Sequence, residues 1–195
     1  MKTACFTGHR LIPPERVLLL EKQLDSILGD CYAQGFREFI CGGALGFDTL
    51  AARAVLRFRD HHPDVRLRLA IPCADQPSRW MPEDAALYRD IMARADQVNM
   101  LSDRFYAGCM LQRNRFMVEH ADLCICYWNG QSRGGTAFTV RYAASRKLDL
   151  VNLFMKDAVL KEDTCSYTFI SPSAKRNAAT VRSYRFPGRK LLRRK

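Results

Sequence analysis

Four short segments of this chain carry residues suited to holding an anion. In Cys41-Gly42-Gly43-Ala44-Leu45-Gly46-Phe47-Asp48-Thr49, three glycines stand between an apolar run and an amphipathic one. Glycines between a buried strand and a helix expose backbone N–H groups near the positive end of the helix dipole, which suits a phosphate. No Gly-Lys-Ser/Thr follows, so this is not a Walker loop, and the spacing of Gly42, Gly43 and Gly46 is not that of the dinucleotide fingerprint. Asp48 has two readings: a cap on the following helix, or an acceptor for ribose hydroxyls. The segment Asn129-Gly130-Gln131-Ser132-Arg133-Gly134-Gly135-Thr136 follows a second apolar run. Gly134, Gly135 and Thr136 at a helix start form a second candidate cradle, the alternative being a flexible loop before a Gly-started helix.

The third segment centres on Arg113. At helical spacing Met110, Arg113, Met117 and Ala121 share one stripe. A guanidinium among inward-facing methionines must find an anion, because an unpaired buried charge costs on the order of several kcal/mol. That anion is an internal carboxylate or a bound phosphate or carboxylate, and the glycine loops favour the bound group. Arg115 lies off the stripe, four residues before Glu119, where it can form a surface pair. The fourth segment, Thr7-Gly8-His9-Arg10, directly follows the first apolar run. Its Gly permits close backbone approach, and His9 and Arg10 then project over the binding edge; a plain surface turn is the other reading. Trp80, in the long loop after Pro72, Cys73 and Pro77, reads either as a lid over the base or as an anchor for that loop.

The elements that must position these groups are legible as an alternation. Short apolar runs over 4–7, 38–41, 66–71, 97–101, 123–127 and 150–154 predict strands. Between them, 3.6-residue periodicity predicts five helices. Pro13-Pro14 suits the first turn of the first, which packs Val17, Leu20, Leu24, Ile27 and Cys31 and stops at Gly35. The second runs over 48–59. The third starts near Pro82 and packs Ala85, Tyr88, Met92 and Ala95, and the last two cover 108–120 and 135–146. The sum is an α/β fold: a three-layer Rossmann-like domain over residues 1–155 with a mostly parallel sheet. Right-handed crossovers place all four segments at the strand C-terminal ends, where ligands bind in such sheets. Residues 156–195 lose the alternation. Residues 165–170 suit an edge strand, and from Ser171 onward the composition predicts a mobile, partly disordered basic tail.

Charge sharpens that division. The 195 residues carry a formal charge of +11. Residues 171–195 hold nine Lys or Arg and no Asp or Glu, which leaves 22 basic against 20 acidic residues elsewhere. A near-neutral domain with a cationic extension is not a uniform nucleic-acid coat. No apolar run approaches the roughly 18 residues that span a bilayer, and the start of the chain lacks a signal peptide's apolar stretch; the expectation is a cytoplasmic protein with no membrane partner. Eight scattered cysteines without a C-x-x-C read as reduced packing residues, with no metal site. His61-His62 reads as a solvated turn, and no resident cofactor is expected.

In combination, Thr7-Gly8-His9-Arg10, Gly42-Gly43-Ala44-Leu45-Gly46-Phe47-Asp48, Arg113-Asn114, Ala121-Asp122 and Gly134-Gly135-Thr136 resemble the YpsA-like branch of the SLOG superfamily, over roughly residues 2–155. The resemblance implies a Rossmann-like fold that binds nucleotide-derived ligands, with Asn114 joining the candidate contacts. It makes binding or sensing of a nucleotide-derived small molecule the leading expectation. The helix Met110 to Asp122 also resembles that of LOG-type phosphoribohydrolases, which cleave N-glycosidic bonds using an Arg there and a Glu after a Gly-Gly-x-Gly-Thr loop. Here the loop is Gly134-Gly135-Thr136, and Thr139 stands where the Glu is expected. A nucleotide hydrolase, acting on the N-glycosidic bond or a phosphate ester, would therefore rest on Asp48 and Arg113 as catalytic residues. The triplet Arg113-Asn114-Arg115 is similar to DprA-type DNA-processing proteins, and the Lys175–Lys195 tail, with Tyr184 and Phe186 interleaved, suits single-stranded nucleic acid. A homodimer is expected by resemblance only.

Overall fold

A computed structural model describes residues 1–154, 168–170 and 182–183. Strands and helices alternate from the start: β1 (Lys2–Gly8), α1 (Pro14–Ala33), β2 (Phe36–Cys41), α2 (Phe47–Arg59), β3 (Arg66–Ile71), α3 (Pro82–Arg94), β4 (Gln97–Met100), α4 (Cys109–Glu119), β5 (Leu123–Tyr127), α5 (Gly135–Ser145) and β6 (Asp149–Asn152). These six strands are parallel, in the order β4-β3-β2-β1-β5-β6. The chain leaves β1 toward β2 on one side and later returns to its other side as β5. The order therefore reverses at the β1–β5 pair, where a crevice opens at the strand C-terminal ends.

Period-two alternation distributes the strand residues between two cores. Ala4 and Phe6 join Phe39, Leu67 and Ile125 under α1 and α2, where Leu20, Leu24, Ile27 and Val55 are buried. Cys5, Ile40, Cys124 and Leu150 face the other way, onto Met117 of α4 and Val140 and Ala143 of α5. Buried on both faces, the central strands must be nearly all apolar, which is why they read as short apolar runs. The three layers match the sequence expectation. Seven cysteines, all but Cys165, are described; each is buried with a free thiol.

Three expectations need correction. In α3 the fully packed pair is Tyr88 and Ile91, with Met92 and Ala95 only partly buried. The helix flanks α2 beside the edge strand β4, so it buries a narrow i, i+3 seam. Arg115 does not pair with Glu119: its guanidinium lies 5.6 Å and 5.9 Å from the ring centroids of Phe138 and Tyr142, while Glu119 accepts a hydrogen bond from the Tyr142 hydroxyl. The aromatic face of α5, packed beside α4, offers both groups a better partner than each other. Finally, one short strand lies where a mobile tail is expected. Strand β7 (Thr168–Ile170), within the edge strand expected over 165–170, runs antiparallel to β6, and β8 (Arg182–Ser183), inside the segment read as a tail, runs antiparallel to β7. The rest of the Lys175–Lys195 segment lies outside the described residues. No described helix is long and apolar enough to cross a membrane.

Candidate functional site

At the β1–β5 reversal lies a cavity of about 340 Å³. Its floor is built from α4. Arg113, in the middle of that helix, is 6% exposed, and Asp48, in the first turn of α2, is equally buried. Arg113 Nη1 stands 3.7 Å from Asp48 Oδ2 and also donates to the Gly42 carbonyl, while Nε donates to Asn114 Oδ1 at 2.7 Å. Asn114 in turn sends its Nδ2–H to the Gly135 carbonyl at 3.4 Å. A continuous polar bridge thus runs from the loop before α2, across α4, to the start of α5. Among the described residues, no hydrogen bond takes Nη2 of Arg113.

The electrostatics of the floor follow from burial. Desolvation pushes the Asp48 carboxyl above its ordinary value, opposed by Arg113, by the N–H groups of Ala44 and Gly42, and by Arg10. Desolvation likewise lowers Arg113 from the usual guanidinium range, opposed chiefly by Asp48. Around this pair the lining adds Arg10 and Arg133, both exposed and neither with a carboxylate within 4.0 Å among the described residues. Three arginines therefore face one acid. Phe6, Met110, Leu111 and Met117 supply an apolar wall.

Helix α5 completes the site. It begins at Gly134, whose φ of 100° sets the chain's entry, and no side chain caps it. The first N–H groups of a helix have no partner within it. Here Gly135 and Thr136 give theirs to no described backbone or side-chain group, and both residues line the cavity. Uncapped helix N–H groups beside arginines attract anions through both hydrogen bonding and the helix dipole.

Of the residues singled out in the sequence, Gly8, His9, Arg10, Asp48, Arg113, Asn114, Gly134, Gly135 and Thr136 come together on this cavity. The glycines of the first loop do not line it. Gly42 and Gly43 turn their carbonyls inward, to Arg113 and to the Gln76 amide respectively, and the Ala44 N–H goes to Asp48 at 3.4 Å. The loop is thus occupied in building the floor, and Gly42 is required because a Cβ there would collide with the Arg113 guanidinium. Ala44 and Leu45 take the lining positions instead. Gly46 has φ 78°, and its Cα packs against the His9–Arg10 backbone. Trp80 also lies elsewhere: it meets Tyr88 edge-on at 5.3 Å and packs on the α1–α3 core, so it anchors its loop. Thr139 is fully buried, its hydroxyl donating to the Gly135 carbonyl at 2.8 Å, and brings nothing to the cavity. Asp48 is the sole carboxylate of the described lining. Arg133 and the wall residues Leu111 and Phe6 escaped the sequence reading; for Arg133 the available signal was an arginine directly preceding a Gly-Gly helix start.

Comparison with known proteins shows the family and the fold. The family model described as the YspA SLOG family matches residues 14–155. The UPF0398 protein of Bacillus pumilus is 27% identical over 126 residues, covering 64% of this chain and 66% of that protein, just under two thirds of the relative. The UPF0398 protein of Bacillus licheniformis is 23% identical over 180 residues, covering 86% of this chain and 98% of that protein. Among solved structures, DNA processing protein A from Helicobacter pylori, described for its single-stranded DNA binding mode, superposes with a TM-score of 0.54 at 17% identity. It covers 76% of this chain and 63% of that one, and shares the fold.

Proposed function

This chain belongs to the YspA SLOG family, and on that premise we propose that it binds a phosphorylated, nucleotide-derived small molecule in the cavity at the β1–β5 reversal. The observation that carries the reading is the convergence of the uncapped α5 N-terminus with Arg10, Arg113 and Arg133 on a cavity holding one acid. A phosphate there receives the Gly135 and Thr136 N–H groups and the free guanidinium edges, while the wall of Phe6, Met110, Leu111 and Met117 accepts a flat apolar base. Asp48 plays two parts, holding Arg113 and presenting an oxygen to ribose. Such binding without turnover is what a sensor requires.

A hydrolytic reading has one specific support, the Asp48 carboxyl that lines the cavity. An oxocarbenium-like transition state wants a carboxylate, and the buried Thr139 leaves only Asp48 to supply it. The shared fold with the Helicobacter pylori protein motivates a third reading, single-stranded nucleic acid held by the same arginines.

Thermal unfolding with a panel of nucleoside 5′-monophosphates, the matching nucleosides and a short single-stranded oligonucleotide, with free base followed in parallel, separates the three. Stabilisation by a monophosphate and not by its nucleoside, with no base released, supports binding. Base released by the wild type and not by folded Asp48→Asn supports the hydrolase. Stabilisation by the oligonucleotide alone overturns the small-molecule reading.

A further inference from the structure

His9 touches three of the elements around the cavity. Its N–H donates to the Tyr127 carbonyl at the end of β5 at 3.3 Å, and its carbonyl accepts the Phe47 N–H at the start of α2 at 3.1 Å. Its ring reaches across to the β5–α5 loop, where Nε2 accepts the backbone N–H of Asn129 at 3.0 Å. A backbone N–H can only donate, so this bond requires Nε2 to be unprotonated and places the single imidazole proton on Nδ1. The loop held in this way is the one that carries Arg133 and leads into the α5 N-terminus. Its other bonds come from its own side of the cavity: Asn152 of β6 accepts the Trp128 N–H at 3.1 Å and donates to the Trp128 carbonyl at 2.8 Å, Arg141 of α5 donates to the Ser132 carbonyl, and Trp128 Nε1 and Asn129 Oδ1 bond to Gln131 within the loop, so His9 supplies the bond that reaches it from β1.

We propose that neutral His9 is the positioning residue of the anion site: it clamps the β5–α5 loop in its binding geometry, and its protonation releases the loop and weakens anion binding. Protonation turns Nε2 from acceptor into donor, so two N–H groups then face each other across the Asn129 contact. The charges around His9 are Arg10 beside it, Arg113 from α4 and Arg133 from the clamped loop, against Asp48 from α2. Tyr127 of β5 packs edge-on at 6.1 Å, and Glu15 and Arg16 of α1 act on that tyrosine from behind.

The sign of the effect distinguishes a clamp from an ordinary cation. A protonated histidine that merely contacted the ligand would strengthen anion binding as the pH falls, whereas a clamp weakens it. This inference rests on the anion-binding reading for its ligand measurement and on the free protein for its other one. Inorganic sulfate, whose charge is constant between pH 5 and 7.5, is titrated calorimetrically into the full chain at both pH values. Wild type is expected to bind about fivefold more weakly at pH 5, the worth of one hydrogen bond. His9→Gln, whose amide supplies an acceptor that does not titrate, is expected to lose that dependence. In the same pH range, ¹⁵N spectra of the ligand-free protein are expected to show His9 as the Nδ1–H tautomer and an Asn129 amide that shifts as the ring protonates. Unchanged or tighter sulfate binding at pH 5, or an Nε2–H tautomer, overturns the proposal. Sulfate binding at neither pH, with the expected tautomer and amide shift, leaves the clamp standing and counts against the anion-binding reading.

Discussion

Asp48 and Arg113, on helices from opposite faces of the sheet, meet 3.7 Å apart beneath the cavity, each almost wholly buried. The pair joins the two helical layers at the point where the strand order reverses. It also answers the question a lone arginine among methionines poses, since a buried guanidinium has to be compensated.

Removing one partner strands the other. Arg113→Met leaves the Asp48 carboxylate buried beside an apolar chain and is expected to cost about 3–5 kcal/mol in urea denaturation. The double variant Asp48→Asn with Arg113→Met is expected to recover at least half of that loss, because residues in contact do not act additively. Additive losses would show that the two groups do not interact.

The raised carboxyl of Asp48 fixes the sign of a pH effect. A group whose folded pKa lies above its unfolded value binds its proton more readily in the folded state. Its contribution is complete below the ordinary carboxylate value and is lost as the pH rises through the folded one. The wild type's stability relative to Asp48→Asn is therefore expected to fall with rising pH across that window. A relative stability that rises there would mean that Arg113 and the loop N–H groups outweigh burial.

Two glycine substitutions are expected to act in opposite directions. At Gly46, φ is 78° and an added Cβ would lie 2.7 Å from the His9 carbonyl oxygen, so Gly46→Ala is expected to cost about 2–3 kcal/mol. Gly29 lies within α1 with nothing within 4 Å of the same position, and Gly29→Ala is expected to stabilise by about 0.5–1 kcal/mol. Equal effects in thermal or chemical unfolding would contradict the packing described at the His9–Gly46 contact.

The thiols give a check on the cores. Burial pushes Cys31 up to about 12 and raises Cys41 and Cys126, while a hydrogen bond with Cys124, together with burial, raises Cys5. The thiolate is the reactive form. Iodoacetamide at pH 8 is expected to leave the seven described cysteines unmodified in the native protein and to reach them all in denaturant. Rapid native labelling of any of the seven, located by peptide mass spectrometry, would show an open core.

The fold was legible because a parallel sheet covered on both faces demands apolar strands and amphipathic helices, and each leaves its own period. Arg113 was legible for a related reason, a charge on an apolar stripe. What the sequence hid was direction. Gly42 and Gly43 look like donors to a ligand, yet their carbonyls serve Arg113 and Gln76, because peptide orientation in a glycine turn leaves no mark on composition. Trp80 looked equally suited to a lid or an anchor, and only the position of Tyr88 decides. The His9–Asn129 bond joins residues 120 apart in the chain, beyond the reach of any local pattern. Strand β8 is short enough to be lost in a basic segment.

The most direct test of a phosphate-binding cavity is the affinity of one nucleoside 5′-monophosphate and its nucleoside, measured calorimetrically on wild type and on Arg133→Ala. Arg133 is exposed and has no carboxylate within 4.0 Å among the described residues, so its loss leaves the fold intact. The expected result is a monophosphate bound at least about tenfold more tightly than the nucleoside, with most of that advantage gone in Arg133→Ala and the nucleoside unaffected. Equal affinity for monophosphate and nucleoside in wild type, or an advantage that survives Arg133→Ala in full, would contradict the account.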